Sequence, residues 1–348
     1  MTSTLAFRRH DRLLVLAPHP DDETLATGGI IQGARAAGAE VRVVIASDGD
    51  NNPWPQRWLE RRWRIDAEAR ARWGRRRREE SRHALEILGV PASAVRHLGW
   101  PDLGMTACLM DGPAAERVLA DELATFAPTH LAAPLANDHH PDHNALAILV
   151  ELALAATPAV RPRRLGYLVH GQCAEADLQA CTYPASDAQR QQKRQAVMAH
   201  ATQVSLSERR LLAIAAREER FIAAVAPPML PRTFSLRVPV PARLPWLRHE
   251  LLIVTLGGGV TRRVRLHVGA AQAGQSGLDP NGLRLRMRAV GGGVEIDVAS
   301  ESPLDRGFIK VTRSGSRLVI YDCAGWADFS DCLAERLPEP LAGDAVPR

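Results

Sequence analysis

Residues 13–29 read LLVLAPHPDDETLATGG. The first five, 13–17, are continuously apolar and predict a buried strand; Pro18 and Pro20 remove backbone donors and stop its ladder. Between that stop and a helical pattern resuming at Thr24 lie His19, Asp21, Asp22 and Glu23, four titratable side chains in five positions. Carboxylates packed this closely raise one another's pKa unless a cation sits among them, so a bound metal is expected here. One imidazole and one carboxylate supply two ligands. A catalytic zinc site takes about three protein ligands and keeps an open position for water. The best source of the third is NDHHPDH, residues 137–143, which follows a second short apolar strand at 130–134 and holds three histidines and two carboxylates.

Around these two loops the pattern alternates strand and helix. Residues 24–37 have helical spacing and end at Gly38, a C-cap candidate. VRVVIA, residues 41–46, is a second buried strand, so the unit is strand–helix–strand and the sheet parallel. Gly28 and Gly29 lack G-x-G-x-x-G spacing and read as close helix–strand packing. Helices are expected at 79–88, 113–126, 144–156, 188–200 and 207–225, and strands at 95–98 and 164–170. His170, alone at a strand end, reads as structural. The whole is an α/β domain with a Rossmann-like, three-layer, mostly parallel sheet, in which ligands bind beyond the carboxyl ends of the strands.

HPDDE after the first strand and HPDH after a later one resemble the LmbE/PIG-L family of zinc-dependent N-deacetylases, which act on N-acetylated amino sugars. RREESRHALEILG is similar to that family's R-x-x-E-x(3)-A-x(3)-LG helix through Arg77, Glu80, Ala84, Leu88 and Gly89. LGWPDLGM resembles the turn that follows it, and KRQAVMAHATQ, residues 193–203, its late helix. The resemblance covers about residues 10–225 and rests on five motifs in order. It implies that His19, Asp22 and His143 bind one zinc ion per chain and that Asp21 is the general base. It implies further that His140 supports the oxyanion and protonates the departing amine, and that Arg77 and Asp102 touch the sugar at the rim. Asp142 would orient a ligand histidine. His200 and Gln203 match the late helix, where packing is as good a reading as pocket closure.

The 348-residue chain carries a formal charge of +5, unevenly spread. Residues 51–78 concentrate ten arginines and four tryptophans, reading as an inserted lid or helical arm. Three uses stay open: a solvated helix whose arginine stems cover apolar surface, an anion face for a substrate phosphate, or a surface for peripheral membrane contact. No nucleic-acid module is recognisable, and nucleic acid is not expected as a partner. The anion reading tilts the expected substrate toward a phosphorylated, nucleotide-linked or lipid-linked N-acetylhexosamine. Cys108, Cys173, Cys181, Cys323 and Cys332 show no CxxC spacing, which argues against a disulfide framework or a structural zinc cluster. MTSTLAFRRHDR lacks the apolar core of a secretory signal and no apolar run is long enough to span a bilayer, so cytoplasmic residence is the default.

Pro227, Pro228 and Pro231 mark a boundary, giving a catalytic domain at 1–230. From Phe234 the period changes to two: seven short alternating segments predict an antiparallel sandwich or barrel over 234–335, followed by a tail at 336–348. Two alternatives to a sugar deacetylase accompany this reading. One is an amidase of the same fold acting on a non-sugar amide. The other is a non-haem iron enzyme, since His19-x-Asp21 with a distant histidine also spells a facial triad. A binding module with a purely structural metal is a fourth possibility, predicting no turnover.

Overall fold

Two strands open the chain, β1 (Ser3–Thr4) and β2 (Arg12–Ala17), the second being the apolar run expected at 13–17. The computed structural model describes residues 3–170, 180–223, 229–240, 249–268, 276–278, 282–313 and 325–334. The expected strand at 317–322, the boundary prolines Pro227 and Pro228, Cys173, Cys323 and the tail at 336–348 lie outside these residues. Contacts divide the chain into two compact units. The first comprises Met1–Thr106, Glu116–Asp138 and Asp142–Ala224; the second comprises Ala107–Ala115, His139–Pro141 and Val225–Arg348.

After β2 the chain runs through α1 (Asp22–Ala36), β3 (Glu40–Ser47), α2 (Pro53–Glu60), α3 (Ala67–Ile87) and β4 (Val95–Trp100). Next come α4 (Met105–Met110), α5 (Ala114–Phe126), β5 (His130–Pro134), α6 (Pro141–Ala156) and β6 (Arg163–Tyr167). β7 (Ala180–Tyr183), α7 (Asp187–Met198), α8 (Ala201–Ala215) and β8 (Glu219–Ile222) follow. The strands form one eight-stranded sheet in the order β1-β7-β8-β6-β5-β2-β3-β4. β6, β5, β2, β3 and β4 pair in parallel, whereas β8 is antiparallel to both β6 and β7, so the sheet is mixed. Leu13, Val15, Val43 and Ile45 are buried in the unit's core, as strands covered on both faces require.

Three expectations are corrected. The helix expected at 79–88 is the second half of α3, a single 21-residue helix capped at Asp66, whose side chain accepts from the Ala69 N–H. Arginine is a good helix former, so the charge run continues the helix rather than interrupting it. The helix expected at 207–225 stops at Ala215, and Glu219–Ile222 is a strand because it completes ladders with β6 and β7. Gly29 approaches strand β8 as expected, a Cβ there standing 3.0 Å from Glu219, but Gly28 packs against helix α7 instead, a Cβ there standing 3.0 Å from Lys193.

In the second unit, β9 (Thr233–Pro239), β10 (His249–Gly257), β11 (Val260–Val268) and β12 (Ser276–Leu278) are followed by β13 (Leu283–Val290), β14 (Gly293–Ser300), β15 (Arg306–Arg313) and β16 (Ala327–Asp328). They make two antiparallel sheets, β11-β10-β15-β16 and β12-β13-β14-β9. Leu251 and Ile253 from the first sheet share one apolar cluster with Leu285, Ile296 and Leu236 from the second, the alternation expected of two-layered packing.

Candidate metal centre

β2 and β5 are neighbours in the sheet, yet the chain leaves β2 toward β3 on one side and reaches β6 from β5 on the other. The order therefore reverses between them, and both histidine-bearing loops emerge at that crevice. The loop after β2 is pinned from several directions. Ser47, at the end of β3, donates its N–H to the Pro18 carbonyl at 2.9 Å. Arg77 from α3 donates to the carbonyls of Pro20 and Gly49, both at 2.6 Å, and stands 3.4 Å from the Asp21 carboxylate. Asp21 has φ +130°, a strained value for a residue with a side chain. Its N–H is held by Glu23 Oε2 at 2.9 Å, and Glu23 Oε1 accepts from Ser81 of α3.

Two imidazoles meet over one carboxylate. His19 Nδ1 and His143 Nε2 each lie 3.1 Å from the same oxygen, Oδ2 of Asp22. Their outer nitrogens are held in turn: His19 Nε2 lies 3.2 Å from Asp142, and His143 Nδ1 lies 3.2 Å from Asp138. A carboxylate only accepts, so each outer carboxylate holds a proton on the outer nitrogen, and the inner nitrogen, which faces Asp22, is the one that would give its lone pair to a bound ion. These outer carboxylates are themselves positioned, Asp142 by the N–H groups of Leu103 and Met105, Asp138 by those of Val169 and His170. Two nitrogens and an oxygen converging from carboxylate-backed imidazoles form a donor set that suits a divalent ion such as zinc.

Electrostatics follow from crowding and burial. Asp22 is held well below the usual carboxylate range: burial opposes its charge, but His143 and His19 outweigh it. Burial also works against charging His143, which Asp22 and Asp138 nevertheless push up to about 9. Asp21 is raised to about 7, first by burial, with Arg77 pulling it down and Asp22 pushing it up. A carboxylate in that range can exchange protons near neutrality. Burial raises Glu23 to about 8.

His19, Asp22, His143, Asp21 and Asp142 thus converge as a group. Arg77, expected at the rim, is instead only 5% exposed and spends its guanidinium on backbone carbonyls and Asp21. Asp102 also sits inward, 3.4 Å from His19 Nε2, while its other oxygen accepts from the Asn51 N–H. His140 is buried on His139–Pro141, the short segment that groups with the second unit. His200 packs against Thr24 at 3.1 Å. Asp138 carried no expected role because nothing in NDHHPDH distinguishes an outer carboxylate from a ligand. The His170 ring, read as structural, lies 4.9 Å from the His143 ring at a tilt of 58°, and one of its ligand atoms groups with one each from Asp22 and His143 within 4.8 Å. Asp138→Asn should weaken metal affinity about 10–100-fold with little change in fold, by loss of the grip on His143; titration with a competing chelator measures this.

The fold and the carboxylate-backed histidine pair define an α/β unit with a crevice whose His/Asp group could hold a metal ion, and residues 14–154 match the family described as PIG-L: GlcNAc-PI de-N-acetylase. Two relatives are named 1D-myo-inositol 2-acetamido-2-deoxy-alpha-D-glucopyranoside deacetylase. That of Tsukamurella paurometabola is 31% identical over 179 residues, 42% of this chain and 56% of the relative. That of Mycolicibacterium gilvum is 34% identical over 148 residues, 38% of this chain and 50% of the relative. The chain spans about half the length of these curated relatives. Among solved structures, N,N'-diacetylchitobiose deacetylase from Pyrococcus horikoshii is similar at a TM-score of 0.48 and 20% identity, covering 62% of this chain and 84% of its own.

Proposed function

We propose that the chain is a metal-dependent hydrolase that removes the acetyl group from an N-acetylated amino sugar, using one divalent ion, zinc by preference, held by His19, Asp22 and His143. The observation that carries this reading is the shared Asp22 oxygen, 3.1 Å from both inner imidazole nitrogens. A bound ion of this kind lowers the pKa of a water and polarises an acyl oxygen. Asp21, beside that cluster and turned inward by its backbone, takes the proton of the attacking water. Arg77 keeps its carboxylate in place through the 3.4 Å ion pair. His140 we assign to the oxyanion and to the proton that must reach the nitrogen before the C–N bond breaks. Asp142 and Asp138 keep the two ligand rings oriented.

The arrangement of β6, β5, β2, β3 and β4 with the crevice at its reversal is how a Rossmann-like sheet would place such a site. Asp22, not Asp21, lies between the imidazoles, which favours the hydrolase over the iron triad built on His19-x-Asp21. For substrate we favour an N-acetylhexosamine linked to a phosphate, nucleotide or lipid, and for location the cytoplasm. A non-sugar amide is the second reading, favoured by nothing specific to this site. The test is to load the protein with zinc and incubate it with a panel of N-acetyl sugars, following free amine and acetate by mass spectrometry. Release from at least one sugar and one ion per chain is the expected result. A loaded protein inert on every N-acetyl sugar would overturn the reading.

A further inference from the structure

Residues 53–66, between β3 and α3, supply no side chain to the metal centre, yet they present the most exposed aromatic surface among the described residues. Trp54 is 59% exposed, Trp58 66% and Trp63 76%, and Leu59 is exposed beside them. Trp54 and Trp58 are four apart on α2, hence on one helix face, while Pro55 and Gln56 face inward. Indoles are normally buried or half-buried, and a cluster of open ones marks a surface that meets something. Arg57 lies over the Trp54 and Trp63 rings at 4.9 and 5.1 Å and donates Nε–H to the Trp63 carbonyl at 2.9 Å. Arg61, Arg62 and Arg64 are exposed in the same stretch, so residues 53–66 hold four arginines against two carboxylates, Glu60 and Asp66, and Glu60 lies 3.5 Å from Arg72 of α3.

The arginines of the following helix differ. Of its seven, Arg72, Arg76 and Arg78 pair with Glu68, Glu80 and Asp48, Arg77 grips the loop after β2 and Arg70 donates to Asn51, while Arg75 and Arg82 are exposed. Exposed Arg61, Arg62 and Arg64 thus place positive charge directly beside the open indoles. No helix among the described residues is long and apolar enough to cross a membrane. Tryptophan settles at the level of lipid headgroups, and arginine pairs with their phosphates. A soluble phosphate would need guanidinium groups that converge; here they are interleaved with indoles along a surface.

We infer that Trp54, Trp58, Leu59 and Trp63, with Arg57, Arg61, Arg62 and Arg64, form a docking face for an anionic lipid surface. The face is tied to the centre: Asn51, next to the start of α2, donates its N–H to Asp102, which lies 3.4 Å from His19.

The test is co-sedimentation of the full chain with vesicles of phosphatidylcholine alone, or containing about a third phosphatidylglycerol, with tryptophan emission and its quenching by brominated lipid read in parallel. Binding to the anionic vesicles, weakened by salt, with a blue-shifted and quenched emission, is expected. Trp54→Ala/Trp58→Ala/Trp63→Ala should weaken it at least about tenfold. Arg61→Gln/Arg62→Gln/Arg64→Gln should do so with the indoles intact, and melting curves certify both folds. Vesicle binding needs no turnover, so its failure is distinct from failure of the deacetylase reading. No sedimentation, equal binding to neutral vesicles, or variants that bind like the parent would each overturn the inference. So would light scattering that shows these indoles joining two copies of the chain, with no lipid bound.

Discussion

Asp21→Asn will keep its metal and lose about 10⁴-fold in turnover, the upper range for a positioned general base. The replacement has the same shape and the same backbone demands as the aspartate it replaces, so the +130° backbone is no harder to hold. Arg77 retains the carbonyls of Pro20 and Gly49, which hold the loop without help from the carboxylate. None of His19, Asp22 and His143 changes. What disappears is an acceptor placed near neutrality by burial. The check is a pair of measurements on one preparation: metal content by mass spectrometry, and kcat on the best sugar from the panel. Turnover within tenfold of the parent would remove Asp21 from the base role. Loss of the metal would make it a holder of the ion instead.

The second large effect lies away from the centre. Glu219→Gln should destabilise the α/β unit by about 3–5 kcal/mol, because it strands the buried Lys193 ammonium, now 2.6 Å from the carboxylate. For a unit of this size that is about 6–20 °C in melting temperature. The carboxylate also accepts from the Gly29 and Ile30 N–H groups at 2.6 and 2.9 Å, so it joins α1, α7 and β8 in one contact. Lys193→Met alone should be costly for the mirror reason. The double substitution should recover part of the loss, since charge without a partner is what destabilises. Additive losses measured by denaturant unfolding would show that the pair is not coupled.

These two sites show what was legible in sequence. That two titratable clusters, HPDDE and NDHHPDH, would meet could be read because each sits on a turn behind an apolar strand, whereas the choice of His19, Asp22 and His143 among them came from the family resemblance. Asp138, Glu219 and the inward turn of Arg77 could not be read, because their roles exist only once distant elements meet. Arg77 sits in a run of four arginines, and nothing in the run says which one will face the Pro20 carbonyl. β8 was hidden for the same reason. Its residues have an amphipathic pattern compatible with a helix, and only the vacant ladder between β6 and β7 makes them a strand. The N-terminal start of α3 was readable in principle, through Asp66 followed by good helix formers, but the density of charge drew the boundary to the wrong place.

Gly28 and Gly29 carry a lesson for redesign. Two absent methyl groups on α1 open a slot just wide enough for an extended lysine and a flat carboxylate to lie side by side. Anyone exchanging that pair for an oily one would have to choose slim, unbranched chains such as methionine; a β-branched or aromatic substitute would lever α1 away from its neighbours. Filling the slot from the glycine side fails too, since alanine at 29 would press its methyl into the Glu219 carboxyl at 3.0 Å.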